Sequence, residues 1–427
     1  MRKLYENGRQ VKVLLGGPPC KGISRIGRAK IASLRDQGVH GWINRQYGDD
    51  RNLLFLKYVS FLSALQPDVF VFENVRHFTS SLSIDHSEFD AVKSLSEAIE
   101  AVSSNTFFYE CSSKILRADE HGCPQERERF FFVGMKCATA SSIKNMQVSK
   151  LLALPKRDTS LPLIAALLGL GTPQEFRFGD DSSVSLAAKC VSYECTLQHL
   201  GEVAREFTEW IHACPRSLEN KSINNVDSHV YRAVREDDAS LIALFGPGKR
   251  WMDYTVNEGE TINQLRILLN KTVNEKSAEK LISVLKKAVD GRSLVLRLLM
   301  EEMSKSQLDL FGGGGTHHLL NDTYLQKGPD NHGDWFERLD PMTPCKTIVS
   351  HMARDTYSFF HPWESRPLTV REAARIQTFP DWFEFGMLGM CDAYEIVGNA
   401  VPPLLSNQIA LRISTALASR NIPIHSA

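Results

Sequence analysis

The sequence predicts an α/β fold, a mostly parallel sheet flanked by helices, joined to a second and less regular domain. Three observations predict it. The short apolar runs Val11–Leu15, Val69–Phe72 and Phe130–Gly134 have the composition of strands buried on both faces. Stretches with apolar residues at helical spacing lie between them. The strand–helix alternation then stops near residue 140.

In chain order, Val11-Lys12-Val13-Leu14-Leu15 reads as a strand ending at Gly16-Gly17-Pro18-Pro19, a turn that cannot continue a ladder. Residues 53–65 carry the apolar spacing of an amphipathic helix. Pro67 precedes the second strand, residues 88–102 form a second helical stretch, and Phe130–Gly134 is a further strand. In such a sheet, reactive groups belong at the carboxyl ends of the strands. Residues 141–330 hold patchy helices (161–170, 261–300) and the glycine tract Gly312–Gly315, a flexible loop. Thr369 caps a helix that begins near Leu368, and a helix over roughly 403–419 closes the chain. The expected division is a catalytic α/β domain over 1–145, an irregular ligand-contacting domain over 146–360, and a C-terminal portion, 361–427, that returns to the first.

Composition excludes little. Fifty Lys and Arg balance fifty Asp and Glu, so net charge points to no polyanionic partner, although a local basic face would suffice for one. No apolar run reaches the ~18 residues a membrane span requires. Nine irregularly spaced cysteines fit a reducing compartment, and a cytoplasmic location is expected.

The chemistry begins at Cys20. A cysteine just beyond a buried strand, on a rigid proline turn, is held where a substrate can reach it. A buried structural cysteine is the plainer alternative for any lone cysteine. The Pro-Pro lead-in weighs against that alternative, as does Glu73-Asn74-Val75 at the end of the next strand. Parallel neighbouring strands would bring Glu73 close to Cys20, and a carboxyl beside a nucleophilic thiolate suits attack on a ring that must be protonated as it is attacked. In Gln125-Glu126-Arg127-Glu128-Arg129, the two arginines alternate and so share a face in an extended segment. Two guanidiniums aimed at one place suit a carbonyl or phosphate; a solvated charge cluster is the plain alternative.

Taken together these segments resemble the ordered motifs of the DNA cytosine-5 methyltransferases: Gly16-Gly17-Pro18-Pro19-Cys20, Glu73-Asn74-Val75, Gln125 to Arg129, Arg371-Glu372-Ala373-Ala374-Arg375-Ile376-Gln377 with Phe379-Pro380-Asp381, and Gly398-Asn399-Ala400-Val401-Pro402-Pro403. His229-x-x-Arg232 and the run from Arg338 to Ile348 also resemble segments of one branch of that family. The resemblance implies a Rossmann-like sheet of the S-adenosylmethionine-dependent methyltransferase type, with a target-recognition domain between the third and fourth motifs. It implies methyl transfer to C5 of a cytosine flipped out of a duplex DNA site, in a restriction–modification system or phage. By resemblance, Cys20 attacks C6, Glu73 bonds N3, Arg129 holds O2 and Arg127 braces the pocket. Asn74, Gln125 and Ser24 would shape the substrate pocket. Pro19, Leu54, Asn399 and Val401 would line the S-adenosylmethionine site.

The sequence departs from the family pattern at its start. The family's Phe-x-Gly-x-Gly turn and the acidic residue that bonds the cofactor ribose precede the Pro-Cys motif, whereas here 15 residues precede Gly16 and none supplies them. The expectation is an incomplete sheet with Val11–Leu15 as an exposed edge. Either a second polypeptide completes sheet and pocket, or the reading frame is truncated. A DNA-binding remnant or regulatory subunit without activity is the competing function. Lys21, Ile23 and Glu395 replace residues usual in the family.

No metal is expected. Cys190, Cys195, His212 and Cys214 have a spacing that fits no common zinc pattern. Trp251 and Trp335 suit a core as well as a DNA base, and Lys249-Arg250 suits a surface turn as well as a phosphate.

Overall fold

Each apolar run of the N-terminal third becomes a strand, and the helical stretches between them pack on one face of the resulting sheet. The computed structural model describes residues 11–18, 54–79, 82–84, 87–138, 148–168, 170, 174–176, 204–213, 229–234, 242, 246–250, 337–354, 356–386 and 388–419. The chain divides into two compact units, one of residues 1–160 with 402–427, the other of residues 161–401.

In the first unit, β1 (Val13–Gly16) leads to α1 (Leu54–Leu65), β2 (Val69–Val75) and a 3₁₀ turn, Arg76–Thr79. A hairpin of β3 (Leu82–Ile84) and β4 (Ser87–Phe89) precedes α2 (Ala91–Glu100). The expected helical stretch over 88–102 therefore begins only at Ala91, where Asp90 caps it by accepting a hydrogen bond from the Lys93 amide at 2.9 Å. Then come β5 (Phe108–Arg117), the short β6 (Gln125–Glu126) and β7 (Glu128–Cys137).

The sheet order is β1-β2-β7-β5. β1 and β2 are parallel, with Val13 opposite Val69 and Gly16 opposite Phe72. β7 corrects the expected parallel arrangement, because it runs antiparallel to both β2 and β5. The physical reason is the connection: residues 118–127, with one 3₁₀ turn and β6, join β5 to β7 without the helix that a parallel crossover uses. β5 lies at one edge of the described sheet and mixes polar with apolar residues, with only Tyr109 and Leu116 buried, so no continuous apolar run announced it.

Phe70, Phe72, Phe130 and Phe132 of the sheet pack with Phe55, Tyr58 and Leu62 of α1 and with Leu95 and Ile99 of α2. Their rings meet mostly edge-on or tilted, as for Tyr58 and Phe72 at 5.4 Å and 70°. Burying each such side chain contributes about 1.5–3 kcal/mol. The final helix, α6 (Pro403–Ala418; numbered last in chain order), returns to this unit and packs on the 3₁₀ turn Val148–Leu152. Pro403 stands at its first turn, where a missing amide hydrogen costs nothing.

The second unit contains α3 (Ile164–Leu167), β8 (Gln174–Phe176) parallel to β9 (Val230–Arg232), a helical segment over 204–212, β10 (Cys345–Lys346), α4 (Val370–Ile376) and α5 (Met390–Asn399). Its apolar core gathers Leu163, Phe207, Ile348, Met352, Phe379 and Tyr394 around α4. α4 carries the Thr369 cap expected from sequence, here a full capping box in which Glu372 bonds back to the Thr369 amide at 2.7 Å. The expected helix over 261–300, Gly312–Gly315, Trp251 and Trp335 lie outside the described residues. Among the described residues no helix is long and apolar enough to cross a membrane.

Candidate active site

The carboxyl ends of β1 and β2 lie side by side because the strands are parallel, and there Gly17 and Glu73 meet. A β-carbon on Gly17 would stand 2.9 Å from the Glu73 carboxylate, so glycine at this position leaves the space beside the acid open. Asn74 ties the two strand ends together. Its side-chain amide donates to the Pro18 carbonyl at 3.1 Å, and its oxygen accepts from the Val75 amide at 2.9 Å. The turn leading to Cys20 is thus anchored to β2. Cys20 itself, with Pro19 and Ser24, lies outside the described residues.

Glu73 faces β7. Its direct partner across the ladder is Phe131, and Arg129, two residues earlier on the same face, reaches it diagonally with Nε 3.2 Å from the carboxylate. Arg129 also donates to the Glu128 carbonyl at 2.7 Å. Arg127 is 1% exposed and sits close enough to Glu73 for its charge to act there. Its backbone is fixed by hydrogen bonds to the Ala118 amide at 2.9 Å and the Gln125 carbonyl at 3.0 Å. Gln125 is fully buried. The structure therefore brings together Glu73, Asn74, Arg127 and Arg129 from the sequence-derived set.

The electrostatics of this corner are unusual. Burial pushes the Glu73 carboxyl above its ordinary range, although Arg129 and Arg127 pull the other way. Burial also lowers both arginines: Arg127 is further depressed by its like-charged neighbour Arg129, while Glu73 opposes the shift in each. A carboxyl that resists ionisation beside two guanidiniums can donate a hydrogen bond to a ring nitrogen and leave the arginines to a carbonyl.

The remaining predicted positions are placed separately. Leu54 is half-buried in the first turn of α1, whose start lies at the carboxyl end of β1 and β2. Asn399 is exposed at the last turn of α5 and Val401 half-buried just after it. Gly398 is required by packing, since a β-carbon there would lie 2.3 Å from the Val349–Ser350 backbone. Gln377 holds the same turn by donating to the Val397 and Ala400 carbonyls at 2.6 and 3.1 Å.

Sequence reasoning passed over Tyr58. Its hydroxyl donates within reach of both the Leu14 carbonyl, at 3.2 Å, and the Val71 carbonyl, at 3.0 Å, and so bolts β1 to β2 just behind the site. Burial raises its pKa, and the hydroxyl stays protonated. A lone tyrosine in an amphipathic helix carries no signal of such a role. Of the zinc candidates, His212 lies 3.2 Å from Asp381, and Cys190, Cys195 and Cys214 are outside the described residues. Among the described residues no cluster of metal-binding side chains occurs.

A mixed α/β sheet carries a half-buried acid and two arginines at the carboxyl end of β1 and β2, and its fold is of the methyltransferase type. The chain belongs to the C-5 cytosine-specific DNA methylase family, whose model matches residues 2–415. It is 26% identical over 414 residues to the type II methyltransferase M.AgeI of Thalassovita gelatinovora, covering 96% of this chain and 84% of that one. It is 24% identical to the type II methyltransferase M.DdeI of Desulfomicrobium norvegicum, covering 96% and 74%. A shorter match, 35% identical, links 30% of the chain to 29% of M1.HphI of Haemophilus parahaemolyticus. A solved E. coli structure described as a DNA modification methyltransferase encoded within a prophage shares the fold, with a TM-score of 0.51 at 18% identity, covering 98% of this chain and 82% of that one. The family is enzymatic, and the chain is a DNA cytosine-5 methyltransferase by membership.

Proposed function

We propose that the chain methylates C5 of a flipped-out cytosine at a specific site in duplex DNA through a covalent bond between Cys20 and C6. The observation that carries this reading is the half-buried Glu73 carboxyl, held by Arg129 at 3.2 Å and opened to the β1 turn by Gly17. C5 of cytosine is a weak nucleophile until C6 is attacked. The Cys20 thiolate adds at C6 while Glu73 bonds N3, so charge developing on the ring is met by a carboxyl already inclined to keep its proton. Arg129 holds the ring carbonyl, Arg127 braces the pocket behind it, and Asn74 keeps the Cys20 turn beside them. Once C5 has been alkylated, loss of its proton and of the thiolate frees the product and restores Cys20. S-adenosylmethionine, when bound, supplies the methyl group, with Leu54, Asn399, Val401 and Pro19 as its contacts in this chain. Residues 146–360 serve target recognition, reading base edges in a groove, and the location is cytoplasmic, on the nucleoid.

The Gly-rich turn and ribose-binding acid come, in this proposal, from polypeptide other than residues 1–427. What supports this is β1: among the described residues no strand pairs with its outer edge, and Leu15 is 68% exposed on it. Tight binding of S-adenosylmethionine by the purified chain alone, read by isothermal titration, would refute it.

The test of the main reading is covalent trapping on duplex DNA carrying 5-fluorocytosine, with S-adenosylmethionine and with the upstream gene product both present and absent. A stable adduct is expected, and Cys20→Ser is expected to abolish it. No adduct in either condition would leave a DNA-binding protein without activity.

A further inference from the structure

Beside the Glu73 pocket, two exposed guanidiniums stand at the same end of the sheet. Arg76 follows the last residue of β2, and Arg117 is the last residue of β5, opposite Glu128 on β7. Arg127 and Arg129 turn inward, toward Glu73. The outward pair is therefore the part of this corner that a polyanion meets.

The two differ in how they are held. Arg117 grips Asp119 with both arms, Nε at 3.2 Å and Nη2 at 2.8 Å, and Asp119 is buried. That hydrogen-bonded pairing raises the Arg117 pKa. Leaving Asp119 would strand a buried carboxylate without its partner, an expensive step. Among the described residues the Arg76 side chain makes one contact, Nη1 to the Glu128 carboxylate at 2.5 Å, with the side chains 57% and 28% exposed. An ion pair so hydrated is weak, and its partner is readily replaced.

We propose that Arg76 is a phosphate-contacting residue, and that Glu128 holds its guanidinium until a DNA phosphate takes that place. This rests on the DNA-methylation reading. The exchange swaps one anion for another at the same guanidinium, and the released Glu128 carboxylate stays in the field of Arg117. Arg76 and Glu128 stand at the end of β2 and the start of β7, beside Glu73 and Arg129, so a phosphate on Arg76 lies next to the catalytic corner. Arg117, locked on Asp119, takes no phosphate.

The test measures binding of the full chain to a fluorescent mixed-sequence duplex by anisotropy across a salt series. Arg76→Gln is expected to lower the slope of log K against log salt by about 0.9, the loss of one phosphate contact. Arg76→Lys should keep the wild-type slope, Glu128→Gln should tighten binding, and Arg117→Gln should leave the slope unchanged. A wild-type slope in Arg76→Gln overturns the proposal, as does an equal loss in Arg76→Gln and Arg117→Gln, which would mark a diffuse field. The adduct assay separates the two readings: an adduct with no slope change removes only the Arg76 contact, and a slope change with no adduct removes only the methylation chemistry. A wild-type chain that binds no duplex removes both.

Discussion

Two carboxylates meet arginines in opposite circumstances, the half-buried Glu73 in the first unit and the buried Glu372 in the second. Glu73 has one arginine contact, Arg129 Nε at 3.2 Å, and burial wins: its pKa rises. Glu372 is at least as buried, yet Arg366 bonds it with two arms at 2.8 and 2.9 Å, and it accepts from the Thr369 amide at 2.7 Å. Burial pushes Glu372 up, but Arg366, by charge and hydrogen bond, and His361 overcome that push and hold it well below the carboxylate range. The same residue types thus give a structural anchor where every acceptor is satisfied, and a chemically poised acid where few are. A half-buried carboxyl with a raised pKa at the carboxyl end of β1 and β2 is a candidate for acid–base chemistry.

The comparison can be broken in four ways. Glu73→Gln removes the proton donor while keeping the shape, and is expected to slow methyl transfer by about 10²- to 10⁴-fold. Single-turnover rates on a cognate duplex would show it; an unchanged rate would strip Glu73 of its role. Glu372→Gln breaks the anchored pair and leaves the buried Arg366 with Glu364 as its remaining ion-pair partner, a loss of up to about 3–5 kcal/mol in urea unfolding. If Glu73→Gln destabilised the protein as much as Glu372→Gln, the contrast between anchor and acid would fail.

The third prediction concerns pH. Burial pushes His361 down to about 4 from 6.5, with Glu372 and Glu364 opposing and Arg366 and Arg338 adding to it. The unfolded chain binds this proton more readily, so the stability is fully present above pH 6.5 and is lost as pH falls toward 4. The full loss is on the order of 3 kcal/mol. Unfolding followed between those limits should flatten in His361→Gln; an unaltered slope would place the titration elsewhere. The smallest effect belongs to the caps. Thr369→Ala and Asp90→Ala should each cost about 1 kcal/mol, and Thr369→Ala should cost more, because it also dismantles one half of the box that orients Glu372.

Much of this was legible beforehand. The strand at Val69, the helix over 54–65, the Thr369 cap and the closing helix follow from periodicity and capping chemistry, which are local. Glu73, Asn74, Arg127 and Arg129 were legible as motif residues, and parallel pairing of β1 with β2 was the right basis for bringing the first two to the Pro18 turn. The antiparallel course of β7 was not legible, because strand direction depends on how a connection closes in space. Nor was the edge strand β5, whose mix of polar and apolar residues resembles loop sequence.

Residue order alone determined the family, the chemistry-bearing side chains and the elements that carry them, since each is written in spacing over a few residues. Tertiary structure alone decided which arginine reaches which acid, and with how many bonds. That number sets the free energy of a buried charge, and it depends on diagonal neighbours across a ladder, such as Glu73 and Arg129, that lie far apart along the chain.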